Sequence, residues 1–282
     1  MERSSVAPQS FLGYKGFRYA RWLGAITVVS IGAYVWDDPI GGPSGGSWLG
    51  YGLGGVSAAG ILWLMWFGIR KRQYAARGAP LRVWLSAHAY LGVSLLVLVP
   101  LHSGFQFGWN VHTLAFALMT ATIATGLLGI AFYGLVPAPM TLNRPGVKLE
   151  ALLQQIADID FECRQAAREL PDFFAAAVAT AIEETTIGGS LFTQLRGEPR
   201  SCGTTLALGT IQDHDEDLDA KASDNARRLL ELLTLKRALL VRVRRDLRFQ
   251  ALLDLWLIFH VPLAFATVAG VIVHVFVVFY YR

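Results

Sequence analysis

The chain has 282 residues, of which 54% are hydrophobic and only 16% charged, and its mean hydropathy of +0.42 excludes an ordinary water-soluble globular protein. The net charge of +4 gives no reason to expect a nucleic-acid partner; how the charges are distributed along the chain is what informs. The two cysteines, Cys163 and Cys202, form no CxxC pair, so a zinc or iron–sulfur site would need ligands from elsewhere, and the lack of a CxxCH run excludes covalent c-type haem attachment by the usual motif.

Residues 1–18 read as a polar N-terminal arm. An apolar run of roughly 18 or more residues with few charges reads as a membrane span. Five such runs are expected, at Tyr19–Trp36, Trp48–Ile69, Val83–Gly104, Val111–Val136 and Leu255–Tyr281. The first is long and is followed by Trp36-Asp37-Asp38 instead of small cleavable residues, so it reads as an anchor and not a signal peptide. Gly41-Gly42-Pro43 and Gly45-Gly46 form the turn to the second, and Pro137 and Pro139 end the fourth.

Residues 137–250 differ in kind. Leu149, Leu152, Leu153, Ile156, Ile159 and Cys163 recur at helical spacing among charges, and so do Leu229, Leu230, Leu233, Leu240 and Val243. This predicts an amphipathic helical insert of at least two helices, with a Gly-rich polar loop over Ile187–Asp217 and a final helix beginning near Asp219. The expected fold class is therefore all-α: five transmembrane helices (1–4 within 19–136, the fifth within 251–282) and a cytoplasmic helical insert.

Basic residues set the orientation. Arg3, Lys15, Arg18 and Arg21 precede the first span; Arg70, Lys71, Arg72, Arg77 and Arg82 fill the loop after the second; the loops after the first and third contain no Lys or Arg. By the positive-inside rule the N-terminus and the insert lie inside and the C-terminus outside, as a multi-pass protein of the cytoplasmic (inner) membrane. Arg242, Arg244, Arg245 and Arg248, which close the insert, agree.

Two motifs are read in their plainer sense. Asp213-His214-Asp215-Glu216-Asp217 offers acidic or metal-docking chemistry, but adjacent loop residues rarely converge on one ion, and a solvated turn before a helix is preferred. Gly50-Tyr51-Gly52-Leu53-Gly54-Gly55 matches GxGxxG by letter, yet no strand precedes it, so close packing by small residues is expected instead of dinucleotide binding.

The functional signal lies in the histidines. His88 and His102 are fourteen residues apart inside the third span, and His260 and His274 repeat that interval inside the fifth. On an α-helix fourteen steps return nearly to one face and climb about 21 Å. His88 lies six residues beyond Arg82, and His260 six beyond Asp254, so the pairs also match in depth. Ionisable side chains inside a membrane are costly and mark function. Two such helices can grip two stacked b haems, the inner through His88 and His260, the outer through His102 and His274. Bis-imidazole iron has no open position and suits electron transfer. Gly92, one turn after His88, and Gly270, one turn before His274, offer either room for a flat macrocycle or close helix packing. His112 at the outer end of the fourth span is a further cofactor-binding candidate. It could replace an outer ligand, but its break with the fourteen-residue interval favours a hydrogen-bonding role beside the outer haem. Trp109 and Asn110 share its rim.

This pattern of His88, His102, His260 and His274 resembles the transmembrane domain of the ferric reductase and NADPH oxidase family, in which two histidines on the third and two on the fifth span hold two b haems. The resemblance covers roughly residues 19–136 and 251–281. Respiratory cytochrome b pairs histidines in the same way, and Trp84-Leu-Ser-Ala-His-Ala-Tyr-Leu-Gly92 with Leu101-His-Ser-Gly-Phe105 is similar to bacterial membrane cytochrome b subunits. The insert departs from the ferric reductase pattern, and neither a sixth span nor a flavin–NADPH domain is expected, so use of NADPH, iron reduction and superoxide production are not implied. The expected function is single-electron transfer across the membrane, as the electron-transfer subunit of an oxidoreductase. The insert would dock a soluble or membrane redox partner, and the outer face would meet a c-type cytochrome, a quinol or another redox partner. A quinone-linked oxidoreductase subunit and a non-redox membrane scaffold or sensor are the alternatives.

Overall fold

A computed structural model describes residues 11–72, 80–135, 145–196, 202–213 and 220–280, and every regular element among them is helical. After a short 3-10 turn at Phe11–Gly13 come α1 (Arg18–Trp36), α2 (Trp48–Arg72), α3 (Leu81–Ser103), α4 (Val111–Leu135), α5 (Pro145–Ala167), α6 (Asp172–Glu183), α7 (Leu191–Arg196), α8 (Gly203–Gln212) and α9 (Ala220–Tyr280). The chain forms two compact units, one of Met1–Ala131 with Trp256–Arg282 and one of Phe132–Leu255.

In the first unit α1 and α2 pack on α3, and the Phe11–Gly13 turn is tied to α3 by the Tyr90 hydroxyl, which donates to the Leu12 carbonyl at 3.1 Å. Helix ends follow local chemistry. Ser47 caps α2 by accepting the Gly50 amide on its hydroxyl at 3.0 Å, and Asn110 Oδ1 accepts the Thr113 amide at the start of α4 at 3.0 Å. Gly104 ends α3 in the left-handed region at φ 61°, and a Cβ there would run into the Pro43 carbonyl, so only glycine fits both the backbone and the close approach. Gln106 Nε2 donates to that same carbonyl at 3.2 Å and fixes the 37–47 turn to the end of α3.

Ile61, Leu95, Met119 and Ile123 form a core layer with Val268 and Val271 of α9, and Leu53, Leu98 and Leu101 form a second with Tyr34 of α1. Much remaining apolar surface points outward, including Trp22, Val28, Val29, Leu62, Trp66, Leu127, Ile258, Phe265 and Ile272. Such faces suit lipid and not water. Trp48–Gly68, Leu81–Ser103, Val111–Phe132 and the long helix over Ala222–Tyr280 are long and apolar enough to cross a membrane, which gives the chain the character of a membrane protein. That makes four helices of this kind among the described residues where five spans were expected. The first expected span does form a 19-residue helix, α1, but Arg18 and Arg21 sit in its first turn and reduce its hydropathy.

The second unit has a core of its own. Leu152, Ile156, Ile159, Cys163 and Ala167 line one side of α5, whereas Leu153 faces out at 38% exposure. On α9, Ala226, Leu229, Leu233, Lys236, Leu240 and Val243 are buried at alternating steps of three and four, the spacing of a packed helical seam. Lys236 occupies a seam position because both its needs are met: it donates to Asp160 Oδ1 and to the Ala181 carbonyl at 2.7 Å. The expected loop over Ile187–Asp217 contains two helices, α7 and α8. Thr204, Ala207, Leu208 and Ile211 bury one side of α8, and Thr204 also donates to the Ala181 carbonyl at 3.3 Å. The glycines that argued for loop serve close packing instead: a Cβ on Gly203 would strike the Thr180 carbonyl. The last helix of the insert and the final apolar run are a single helix, α9. Of the acidic motif at 213–217, all but Asp213 lies outside the described residues.

Candidate functional site

In the first unit the paired histidines occupy two levels. Each level takes one residue from α3 and one from α9, with α4 alongside. Fourteen residues of helix separate the levels by about 21 Å.

At one level His102 and His274 face each other with ring centres 6.0 Å apart and planes at 82°. His102 is held on its far edge by α2. Its Nδ1–H donates to the Gly50 carbonyl at 2.7 Å, and a Cβ on Gly54 would sit 2.6 Å from its Cε1. The small residues of the GxGxxG-like stretch therefore pack on an imidazole, which sequence reasoning read only as general helix packing. Gly50 and Gly54 lie four apart on one helical face, and that interval was the available signal. His112 of α4 shares a hydrogen bond with His274 through the two Nδ1 atoms, with ring centres 4.6 Å apart. Asn110 spends its side chain on the α4 cap, and Trp109 is fully exposed.

At the other level His88 packs on Phe67, ring centres 4.9 Å apart. His260 is placed by three residues that sequence reasoning missed. Thr125 Oγ1 meets its Nδ1 at 2.9 Å, Trp256 stacks on its ring at 5.1 Å, and Gly126 leaves its Cε1 room, with a virtual Cβ 3.4 Å away. Trp256 also donates its indole N–H to the Thr125 carbonyl at 2.7 Å, and Gly129 makes space for that indole. Trp256 stands four residues before His260, so their stacking was legible as an i, i+4 aromatic pair; nothing in the sequence singled out Thr125. His88 Nδ1 is buried and has no hydrogen-bond partner among the described protein atoms.

Between the levels lie Leu95, Met119, Ile123, Val268 and Val271. One polar contact crosses this layer, a 2.8 Å hydrogen bond between the hydroxyls of Thr122 on α4 and buried Thr267 on α9. It joins the two helices in surroundings where such a bond contributes about 0.6–2 kcal/mol.

The donor set fits iron held between imidazoles. A carbonyl only accepts, so the Gly50 contact puts the proton of His102 on Nδ1 and leaves the Nε2 lone pair free. The Thr125 hydroxyl donates to the Thr122 carbonyl at 2.8 Å and so accepts from His260 Nδ1–H, freeing that Nε2 as well. His102 and His274, with ring centres 6.0 Å apart, would hold such an iron at that level. Gly92 is buried, yet a Cβ there would meet no atom within 4 Å, so open space adjoins the turn after His88. Gly270 differs: it packs against Ala115 and Leu118 of α4.

In the second unit both cysteines are free and buried. Burial pushes the Cys163 thiol up to about 12, with Asp160 adding to the effect. Burial also acts to raise Cys202, but the Arg244 guanidinium, donating to its Sγ at 3.3 Å, and the Thr185 hydroxyl outweigh it and bring that thiol below its ordinary value.

Comparison of the chain with family models, with curated proteins and with solved structures finds no match.

Proposed function

We propose that this protein is a di-haem b-type cytochrome that passes single electrons across a membrane, in an arrangement resembling the ferric reductase and NADPH oxidase transmembrane domain. The observation that carries this reading is the pair of histidine levels, at which His102 and His260 each have the ring proton committed away from the nitrogen that would bind iron. His88 and His260 would hold one haem, His102 and His274 the other. Bound haem supplies reversible one-electron chemistry at iron. The protein's own work is to orient four imidazoles, to space the two levels, and to keep water from the layer between them. His112 supports His274 and is not itself an axial ligand in this reading.

The same reading makes α1 a fifth span. It puts the N-terminus and residues 137–250 on the inner face of the cytoplasmic membrane and the C-terminus outside. The insert docks a soluble or membrane redox partner, and the His102/His274 level lies toward an outer partner such as a c-type cytochrome or quinol.

The test is optical. Protein purified in detergent and reduced with dithionite should show the sharp α-band of low-spin b haem, and carbon monoxide should leave it unchanged because neither iron has an open position. A spectrum without haem would overturn the proposal in favour of a non-redox scaffold; a carbon monoxide adduct would remove bis-histidine ligation.

A further inference from the structure

The ligand imidazoles are not supported equally. His102 donates its Nδ1–H to a backbone carbonyl at 2.7 Å, and His274 is hydrogen-bonded through Nδ1 to His112. In the di-haem reading the Nε2 of His274 is committed to iron, so its ring proton sits on Nδ1 and goes to His112. Both histidines of that level then give that proton to a good acceptor, a carbonyl oxygen or an imidazole nitrogen. At the other level His260 Nδ1 meets the hydroxyl of Thr125 at 2.9 Å, an oxygen that already donates its own proton to the Thr122 carbonyl at 2.8 Å, and that carbonyl is itself a backbone partner of His260. His88 Nδ1 is buried with no partner among the described protein atoms. Phe67 packs on its ring, with centres 4.9 Å apart.

A partner that pulls on Nδ1–H makes the other nitrogen a stronger donor to iron, which favours the ferric state and lowers the potential. We infer that the haem at the His102/His274 level has the lower reduction potential and that the haem at the His88/His260 level, where His88 Nδ1 has no partner among the described protein atoms, has the higher. This rests on the di-haem reading above and adds to it an order of potentials that spacing alone does not give. At equilibrium a single electron on the chain resides at the His88/His260 level.

The experiment is a spectroelectrochemical titration of the full-length protein in detergent. Two resolved one-electron steps are expected. In His102→Ala the remaining haem should titrate at the higher wild-type step. Thr125→Val, which removes the side-chain partner of His260 and leaves the Thr122 backbone, should shift the higher step modestly upward and leave the lower in place, and Thr125→Ser should restore it. His112→Phe should shift the lower step upward. The Thr125 and His112 variants keep all four ligands, so they decide the matter even if His102→Ala loses both haems. Survival of the lower step in His102→Ala, movement of the lower step in Thr125→Val, or two haems that titrate as one would overturn the inference while leaving the di-haem reading intact. Absence of haem from the wild-type protein would instead remove that reading itself.

Discussion

The Nδ1 of His102 lies 2.7 Å from the carbonyl oxygen of Gly50, so the backbone of α2 decides which nitrogen of the imidazole is free. One turn on, Gly54 presses on the same ring, where a Cβ would come 2.6 Å from Cε1. Gly54→Val should therefore tilt or expel His102 and cost the haem at that level while sparing the other. Gly52→Ala, at a position where a Cβ meets nothing within 4 Å, should keep both. Haem per chain for each variant checks this, and equal haem loss in the two would mean that the glycines serve the span as a whole and not the histidine.

Ligands and bystanders should separate by haem count. His88→Ala and His260→Ala should each lose the haem of their shared level, and His102→Ala and His274→Ala that of the other. His112→Ala should retain both, since a lost hydrogen bond to a ligand retunes iron without releasing it. If His112→Ala loses a haem while His102→Ala or His274→Ala keeps both, the outer site is built around α4 and the pairing is different.

Orientation is open to direct measurement. A reporter fused after Arg282 should appear outside, and one inserted at exposed Gly189 inside. Opposite results for both would exchange inner and outer levels without altering the ligand pairs.

The second unit depends on the Lys236–Asp160 contact. Lys236→Ala leaves the Asp160 carboxylate without its partner, and the Ala181 carbonyl with only Thr204, in a seam that is 1% exposed at Lys236. A loss of about 1.5–3 kcal/mol is expected, because a charge-assisted hydrogen bond is removed and the remaining carboxylate is partly open to water. Protection of α5 and α6 amides in hydrogen exchange reads this out, and unchanged protection would show that the contact carries no stability.

The two thiols should part company with pH. A Cys163 thiol that titrates at about 12 when folded and near 9 when unfolded keeps the folded state whole below pH 9 and costs it stability as pH rises from 9 to 12. Cys163→Ala, which cannot titrate, should flatten the alkaline loss of helicity over that window. Cys202, held below its ordinary value by Arg244, should react with iodoacetamide before Cys163 does, and Arg244→Gln should slow that reaction. Equal labelling of both would contradict the assignment.

The helical class and the apolar runs were legible because hydropathy and helical periodicity are local properties of the sequence. So was the seam of the insert, where Leu229, Leu233, Leu240 and Val243 recur as the packing requires. The helices α7 and α8 were not, because Gly203 signals a break locally while its tertiary role is a close approach to the Thr180 carbonyl. In the site, the equal intervals of His88–His102 and His260–His274 could be read directly. The residues that aim the rings could not, since Thr125 and Gly50 act across helices that only folding brings together, more than fifty residues away along the chain in each case. Trp256, four residues from His260, lay within reach of a helical reading.

The central claim is two haems on two histidine levels, and haem stoichiometry tests it most directly. A pyridine haemochrome assay on pure protein, with chain concentration from amino-acid analysis, should give two non-covalent b haems per chain. One haem per chain would leave one of the levels without a cofactor, and none would leave both histidine pairs with a purely structural role.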